Sequence, residues 1–233
     1  MTKKYDPPQA TVADAGTATA RALVQLVPMV GGSAVELPNQ AIAPPLERRR
    51  DEWMRAVAEG LEAAEVKIEE LGTRAELLDT FLQASAAAMR TSSQEKLEAL
   101  RNAVVNSAIK AEPDQDERTI FVQLVDRFTP SHLLILGAFN DPLRWAREHA
   151  VNYQPAMTSG LDHFLEAAFA ELRGRREFYD LVWSDLYRAG LVSTDGLHAM
   201  MSQSGWEPSR TTDFGKRFLR FIAEPNLHGE GSS

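Results

Sequence analysis

The sequence has no cysteine. That excludes a disulfide framework, a thiolate zinc site, a cysteine-held iron-sulfur cluster and a cysteine nucleophile. Cations are the minority, with 25 Lys and Arg against 33 Asp and Glu for a net charge of -8, which argues against a generally cationic nucleic-acid coat. Aromatic residues make up only 8%, and Trp53, Trp145, Trp183 and Trp206 are dispersed. Packing explains such a scatter better than a base-stacking platform does. Long hydrophobic runs are missing too. Ala22 to Val35 carries no charge but contains Pro28, Gly31 and Gly32 and falls short of the roughly 20 apolar residues a membrane span needs. No apolar stretch directly follows Lys3 and Lys4, because Asp6, Pro7, Pro8 and Asp14 intervene, so the expected compartment is the cytoplasm.

Catalytic signatures are equally scarce. The histidines are His132, His149, His163, His198 and His228, and none forms an HExxH motif or a helical metal pair. The best acid-base candidates are the doublets Glu148-His149 and Asp162-His163, were folding to bring them together. Adjacent helix positions point in different directions, which works against cooperation within either doublet. Gly31-Gly32-Ser33 lacks the Lys-Ser/Thr of a phosphate loop, and Ser204-Gly205 lacks nucleophile-elbow spacing. No catalytic residue, cofactor or metal is expected, and the chain reads as a protein that works by contact.

What is present is helical periodicity. Residues 1–17 read as a polar tail and 18–45 as an apolar segment packed on the bundle, ended by Pro44 and Pro45. Glu47 to Leu71 then reads as one long helix, with Met54, Val57, Leu61, Ala64, Ile68 and Leu71 at heptad-like steps of three and four. Fewer than three full heptads favour a helix lying in a bundle over a free-standing zipper. Met54, Val57, Leu61, Ile68 and Leu71 are nonetheless the expected surface for a partner or a second copy. Capping boxes at Thr73 with Glu76 and at Ser92 with Glu95 open the next helices. Pro113 with Asp114, Asp116 and Glu117 opens a fourth, giving an antiparallel bundle over 46–128. Arg48-Arg49-Arg50 suits helix entry and ion pairing, or contact with anionic lipid beside the apolar segment 22–46.

After Thr129-Pro130 the pattern shifts to short helices. Asp141-Pro142 is a cap and first position, and Leu161 to Leu172 and Glu177 to Ala189 follow, the latter stopped by Gly190. Asp195-Gly196 is the turn signal of a short hairpin, and Thr212 or Asp213 caps a last helix with Phe214, Phe218, Phe221 and Ile222 inward. Residues 225–233 read as a second tail. The expected fold is mainly α, a bundle followed by a module with one β-hairpin.

The words Leu186-Tyr-Arg-Ala-Gly-Leu-Val192 and Thr211-Thr-Asp-Phe-Gly-Lys-Arg-Phe-Leu-Arg-Phe-Ile222 give residues 129–224 a resemblance to a winged-helix domain. In DNA-binding members the helix matching 177–189 enters the major groove and the wing matching 192–209 touches phosphate. On that resemblance Arg188, Arg210, Lys216, Arg217 and Arg220 are the nucleic-acid contacts. The module departs from the pattern in charge, with ten Lys and Arg against twelve Asp and Glu over 129–224. A further resemblance rests on Phe81 to Met89, Ser93 to Asn106, Asp114 to Glu117 and Leu124 to Leu136. Residues 46–140 resemble a group of bacterial helical proteins distantly similar to the abortive-infection alpha family of phage defence. The resemblance implies a bacterial, phage-defence setting and carries no chemistry.

The expected function is therefore a non-catalytic protein-interaction protein that binds a partner or self-associates into a homo-oligomer. A winged-helix DNA-binding regulator and a membrane effector acting through residues 22–46 are the alternatives.

Overall fold

Apolar residues at three-and-four spacing and an abundance of helix-cap residues make the described residues 68% helix, with one pair of two-residue strands among them. The computed structural model describes residues 39–67, 69–110, 113–153 and 158–226, with side chains from 45 onward. Ile68, His228, both expected tails apart from 225 and 226, and nearly all of the expected apolar segment lie outside the described residues. No helix among the described residues is long and apolar enough to cross a membrane. The chain divides into two compact units, one formed by residues up to 126 together with those from 222 onward, the other by 127–221.

The first unit holds α1 (Asn39–Ala63), α2 (Glu69–Thr73), α3 (Ala75–Ala88), α4 (Gln94–Ile109) and nearly all of α5 (Gln115–Arg127). Pro44 and Pro45 were expected to precede the first helix, but they lie within its first two turns. Proline's fixed φ is helical, but past the first turn each of the two forfeits an N–H bond to the carbonyl four residues back. The single helix expected over 47–71 is two helices. Glu65 has a φ of 56°, its N–H donates to the Glu62 carbonyl, and the Val66 N–H donates to the Leu61 carbonyl. This is a Schellman stop with glutamate where glycine is usual, so the sequence carries no sign of it.

The cap ahead of α3 also differs from expectation, since Thr73 Oγ1 donates back to the Glu70 carbonyl and Arg74 occupies the cap position. At α4 the capping serine is Ser93 rather than Ser92, and its Oγ accepts from the Lys96 N–H. α3 packs on α4, and Leu77, Phe81 and the small residues Ala84, Ala87 and Ala88 of α3 are buried. α4 is buried almost all round, from Ala99 and Leu100 through Ala108 apart from Arg101, and α1 lies against it. Gly60 of α1 meets the Val105 side chain of α4, leaving no room for a β-carbon there.

The second unit holds α6 (Pro130–Asn140), α7 (Pro142–Glu148), β1 (Thr158–Ser159), α8 (Leu161–Ala168), a 3-10 turn (Ala170–Leu172), α9 (Arg176–Arg188), β2 (Met201–Ser202) and α10 (Asp213–Ile222), whose last residue belongs to the first unit. Thr129 and His132 form a capping box for α6, and the Asp141 side chain accepts from the Arg144 N–H at the start of α7. The centre is aromatic: Phe139 meets Phe164 and Trp183 edge-on, and Trp206 stacks on Phe164 at 4.9 Å.

The expected hairpin at Asp195-Gly196 does not form. β2 pairs antiparallel with β1, Thr158 opposite Ser202 and Ser159 opposite Met201, and Val192 bridges to Thr211. The intervening backbone is drawn to the helices instead. The Thr194 carbonyl accepts from Trp183 Nε1 and the Leu197 carbonyl from the Asp162 N–H. Gly190, at a φ of 72°, closes α9 and turns the chain into Leu191. Gly215 then lets α10 approach the Leu191 carbonyl, where a β-carbon would clash with backbone.

Candidate functional surface

The residues expected to form a partner surface on the heptad-like stripe are buried inside their own unit. Met54, Val57 and Leu71 are fully inaccessible, Leu61 is 1% exposed, and Ile68 lies outside the described residues. Their periodicity is that of a core face. The break at Glu65 also ends any continuous seam, so these residues are not a docking surface.

The cations expected to meet phosphate are engaged locally. The Arg188 guanidinium lies 3.8 Å from the Asp185 carboxylate and the Lys216 ammonium 3.3 Å from that of Asp213, each within one helical turn. Arg217 lies over the Phe214 ring at 5.6 Å. Arg210 is turned inward, donating to the Gly205 carbonyl and, at 3.3 Å, to the Met201 sulfur, and burial holds its guanidinium below the ordinary arginine value. Its backbone N–H donates to the Phe139 carbonyl and its own carbonyl accepts from Ser193. Arg210 is thus a tie for the loop before α10. Arg220 is exposed on α10.

The acid-base doublets remain apart. Glu148 pairs with Arg144 at 2.7 Å, while the His149 ring stacks on Trp145 at 3.9 Å with its Nδ1 3.0 Å from the Trp145 carbonyl. Asp162 does have a histidine partner, but the close one is His198, which sequence reasoning left unused. His198 Nδ1 lies 3.0 Å from Asp162 Oδ2 and His198 Nε2 lies 2.7 Å from Asp180 Oδ1. A ring bonded at both nitrogens to carboxylates has neither nitrogen left to take a proton from a substrate. The arrangement pins the loop carrying His198 to the start of α8 and to the middle of α9. His163 is a lateral neighbour, its Nδ1 3.2 Å from Asp162 Oδ1, and Arg176 approaches Asp180 at 3.4 Å. Alongside, the Tyr179 hydroxyl donates to Glu166 at 3.2 Å, and burial together with the Glu166 charge pushes its pKa up to about 12. No group of three or more histidines and carboxylates among the described residues is placed to hold a metal ion.

α9 turns a different face inward from the one its apolar residues suggest. Tyr179, Val182, Trp183 and Leu186 are buried, whereas the equally apolar Leu181 is 57% exposed. Phe178 is half-buried under the Arg175 guanidinium, 4.3 Å from its ring. The aromatic residues win the interior because Trp183 also gives its indole N–H to the Thr194 carbonyl there. The outer face of α9 therefore shows Leu181 between Glu177, Ser184 and Arg188. His198 is fastened one residue away from Leu181, at Asp180, and Met200 follows it with 68% exposure. No protein-family model, curated protein or solved structure matches the chain.

Proposed function

We propose that the chain is a non-catalytic protein-interaction protein, an N-terminal helical bundle carrying a winged-helix-like module that docks a protein through the outer face of α9. The order α6, α7, β1, α8, α9, β2, α10, with Val192 bridged to Thr211, supports the winged-helix reading of residues 129–224. The observation that carries the function is the exposure of Leu181 on the element that DNA-binding members present to the major groove, with Met200 also exposed on the loop that follows it. Apolar side chains there favour burial against protein, and acids on the same helices offset the module's arginines. Self-association is the first form of docking to measure. A phage-defence role rests on the resemblance of residues 46–140 alone.

The test compares the wild type with Leu181→Asp/Met200→Asp by light scattering over a wide concentration range. A wild-type mass that rises with concentration and a variant that stays monomeric, with unchanged helical content, support the reading. Salt-dependent retention on DNA abolished by Arg217→Ala/Arg220→Ala overturns it in favour of a DNA-binding regulator. Liposome binding lost on deletion of residues 18–46 overturns it in favour of a membrane effector.

A further inference from the structure

The first unit contains both the point where the chain leaves it, at Asp126, and the point where the chain returns, at Ile222. α4 holds both. Near its start the Lys96 ammonium donates to the Asp126 carbonyl at 2.7 Å. Further along, Asn102 Nδ2 donates to the Ile222 carbonyl at 3.0 Å and Asn106 Nδ2 to the Ala223 carbonyl at 2.9 Å. The asparagines are one helical turn apart and 7% and 3% exposed, so they project from a single buried stripe. Ile222 ends α10, and its carbonyl is among those left without a partner inside that helix. Two side-chain amides from α4 supply part of what a C-terminal cap would.

Ala223, Glu224 and Asn226 are exposed, and Pro225 has no N–H with which to extend a helix or join a ladder. The Asn102 amide is also oriented from outside the stripe. Arg101 donates to its Oδ1 from Nε at 3.2 Å and from Nη2 at 2.9 Å, which aims Nδ2 at Ile222. Arg101 lines a groove of about 210 Å³ between α1 and α4, together with Arg49, Trp53, Leu97 and Glu98. The guanidinium that sets the amide is therefore reachable from the surface.

We propose that residues 222–226 form a releasable latch on the first unit, clasped by Asn102 and Asn106 and set by Arg101 as a positioning residue. Closed, the strap satisfies two buried amides that would otherwise be costly to leave unpaired. Open, it presents those amides on α4 and frees the end of α10. An acidic group entering the groove beside Arg101 competes for the guanidinium and shifts the latch toward the open state.

Hydrogen exchange on the full chain, read by mass spectrometry, tests this. Asn102→Asp is the informative variant, because it keeps an acceptor for Arg101 and nearly the same volume but removes the donor to Ile222. The expected result is about tenfold faster exchange over 219–226, more in Asn102→Asp/Asn106→Asp, with α3 unchanged. Arg101→Met is expected to open the strap in the wild-type background and to add nothing to Asn102→Ala, which separates positioning from simple destabilisation. Unchanged exchange over 219–226 in Asn102→Asp overturns the latch. So does an equal acceleration throughout α3, which would make the asparagines part of general stability only.

Discussion

His198 Nε2 stands 2.7 Å from Asp180 Oδ1, joining residues eighteen positions apart, and the same ring reaches Asp162 on its other side. Both ring nitrogens are within hydrogen-bond reach of a carboxylate, so one side chain ties α8, α9 and the loop together. His198→Ala leaves two carboxylates facing each other across the gap. The expected loss is about 1–3 kcal/mol, measured by urea denaturation, allowing for the partial exposure of the site. Asp162→Asn and Asp180→Asn are each expected to cost less and to be non-additive with His198→Ala. Additive losses would show that the three side chains do not act together.

Tyr179 gives a pH dependence with a definite sign. Its hydroxyl is held to Glu166 in a buried setting, with its pKa raised to about 12 in the folded chain. Below pH 10 the phenol is neutral in both folded and unfolded states, and its contribution is complete. Between about pH 10 and 12 the unfolded chain ionises while the folded one does not, so stability falls as pH rises through that window. Tyr179→Phe removes this part of the slope. Denaturation midpoints of the two proteins at pH 9 and pH 11.5 check it, with the difference between them shrinking at the higher pH.

Where signals were local, the sequence was readable. Thr129-Pro130, Asp141-Pro142 and Gly190 mark helix ends because one or two residues carry the whole geometric requirement. The end of α1 was hidden because Glu65 adopts a left-handed conformation that glutamate rarely takes. The inward face of α9 is not legible from apolarity, because Leu181 is as apolar as its buried neighbours while Trp183 also has an indole partner inside, the Thr194 carbonyl. The His198 pin was invisible for another reason. Its members come from α8, α9 and the loop after α9, and no spacing rule links residues 162, 180 and 198.

The stop at Glu65 makes Glu65→Gly a stabilising change. The residue is exposed, makes its turn at a φ of 56°, and would shed steric strain without losing packing. A gain of about 1 kcal/mol in thermal or urea unfolding is expected. At Gly190, whose φ is 72°, the reverse change to alanine is expected to cost about as much. A neutral result at Glu65 would mean that its side chain compensates for the backbone strain.

Arg118 tests how the link between α4 and α5 is held. Its side chain is 3% exposed, its Nε donates to the Pro113 carbonyl at 2.6 Å and its Nη2 to the Lys110 carbonyl at 3.3 Å, while Glu76 lies 3.8 Å from Nη1. One guanidinium thus bridges both ends of the turn between the helices, and desolvation lowers its pKa from the usual arginine value. Arg118→Lys keeps the charge but concentrates the donors at one point, so it cannot serve Pro113 and Lys110 together. A loss of about 2–4 kcal/mol is expected for lysine, since a buried cation is then poorly paired. Arg118→Met removes the charge with the bonds and leaves the two carbonyls to find water, at a cost expected to be smaller. If lysine proves as stable as arginine, the fork geometry is not what closes the turn, and the charge beside Glu76 is.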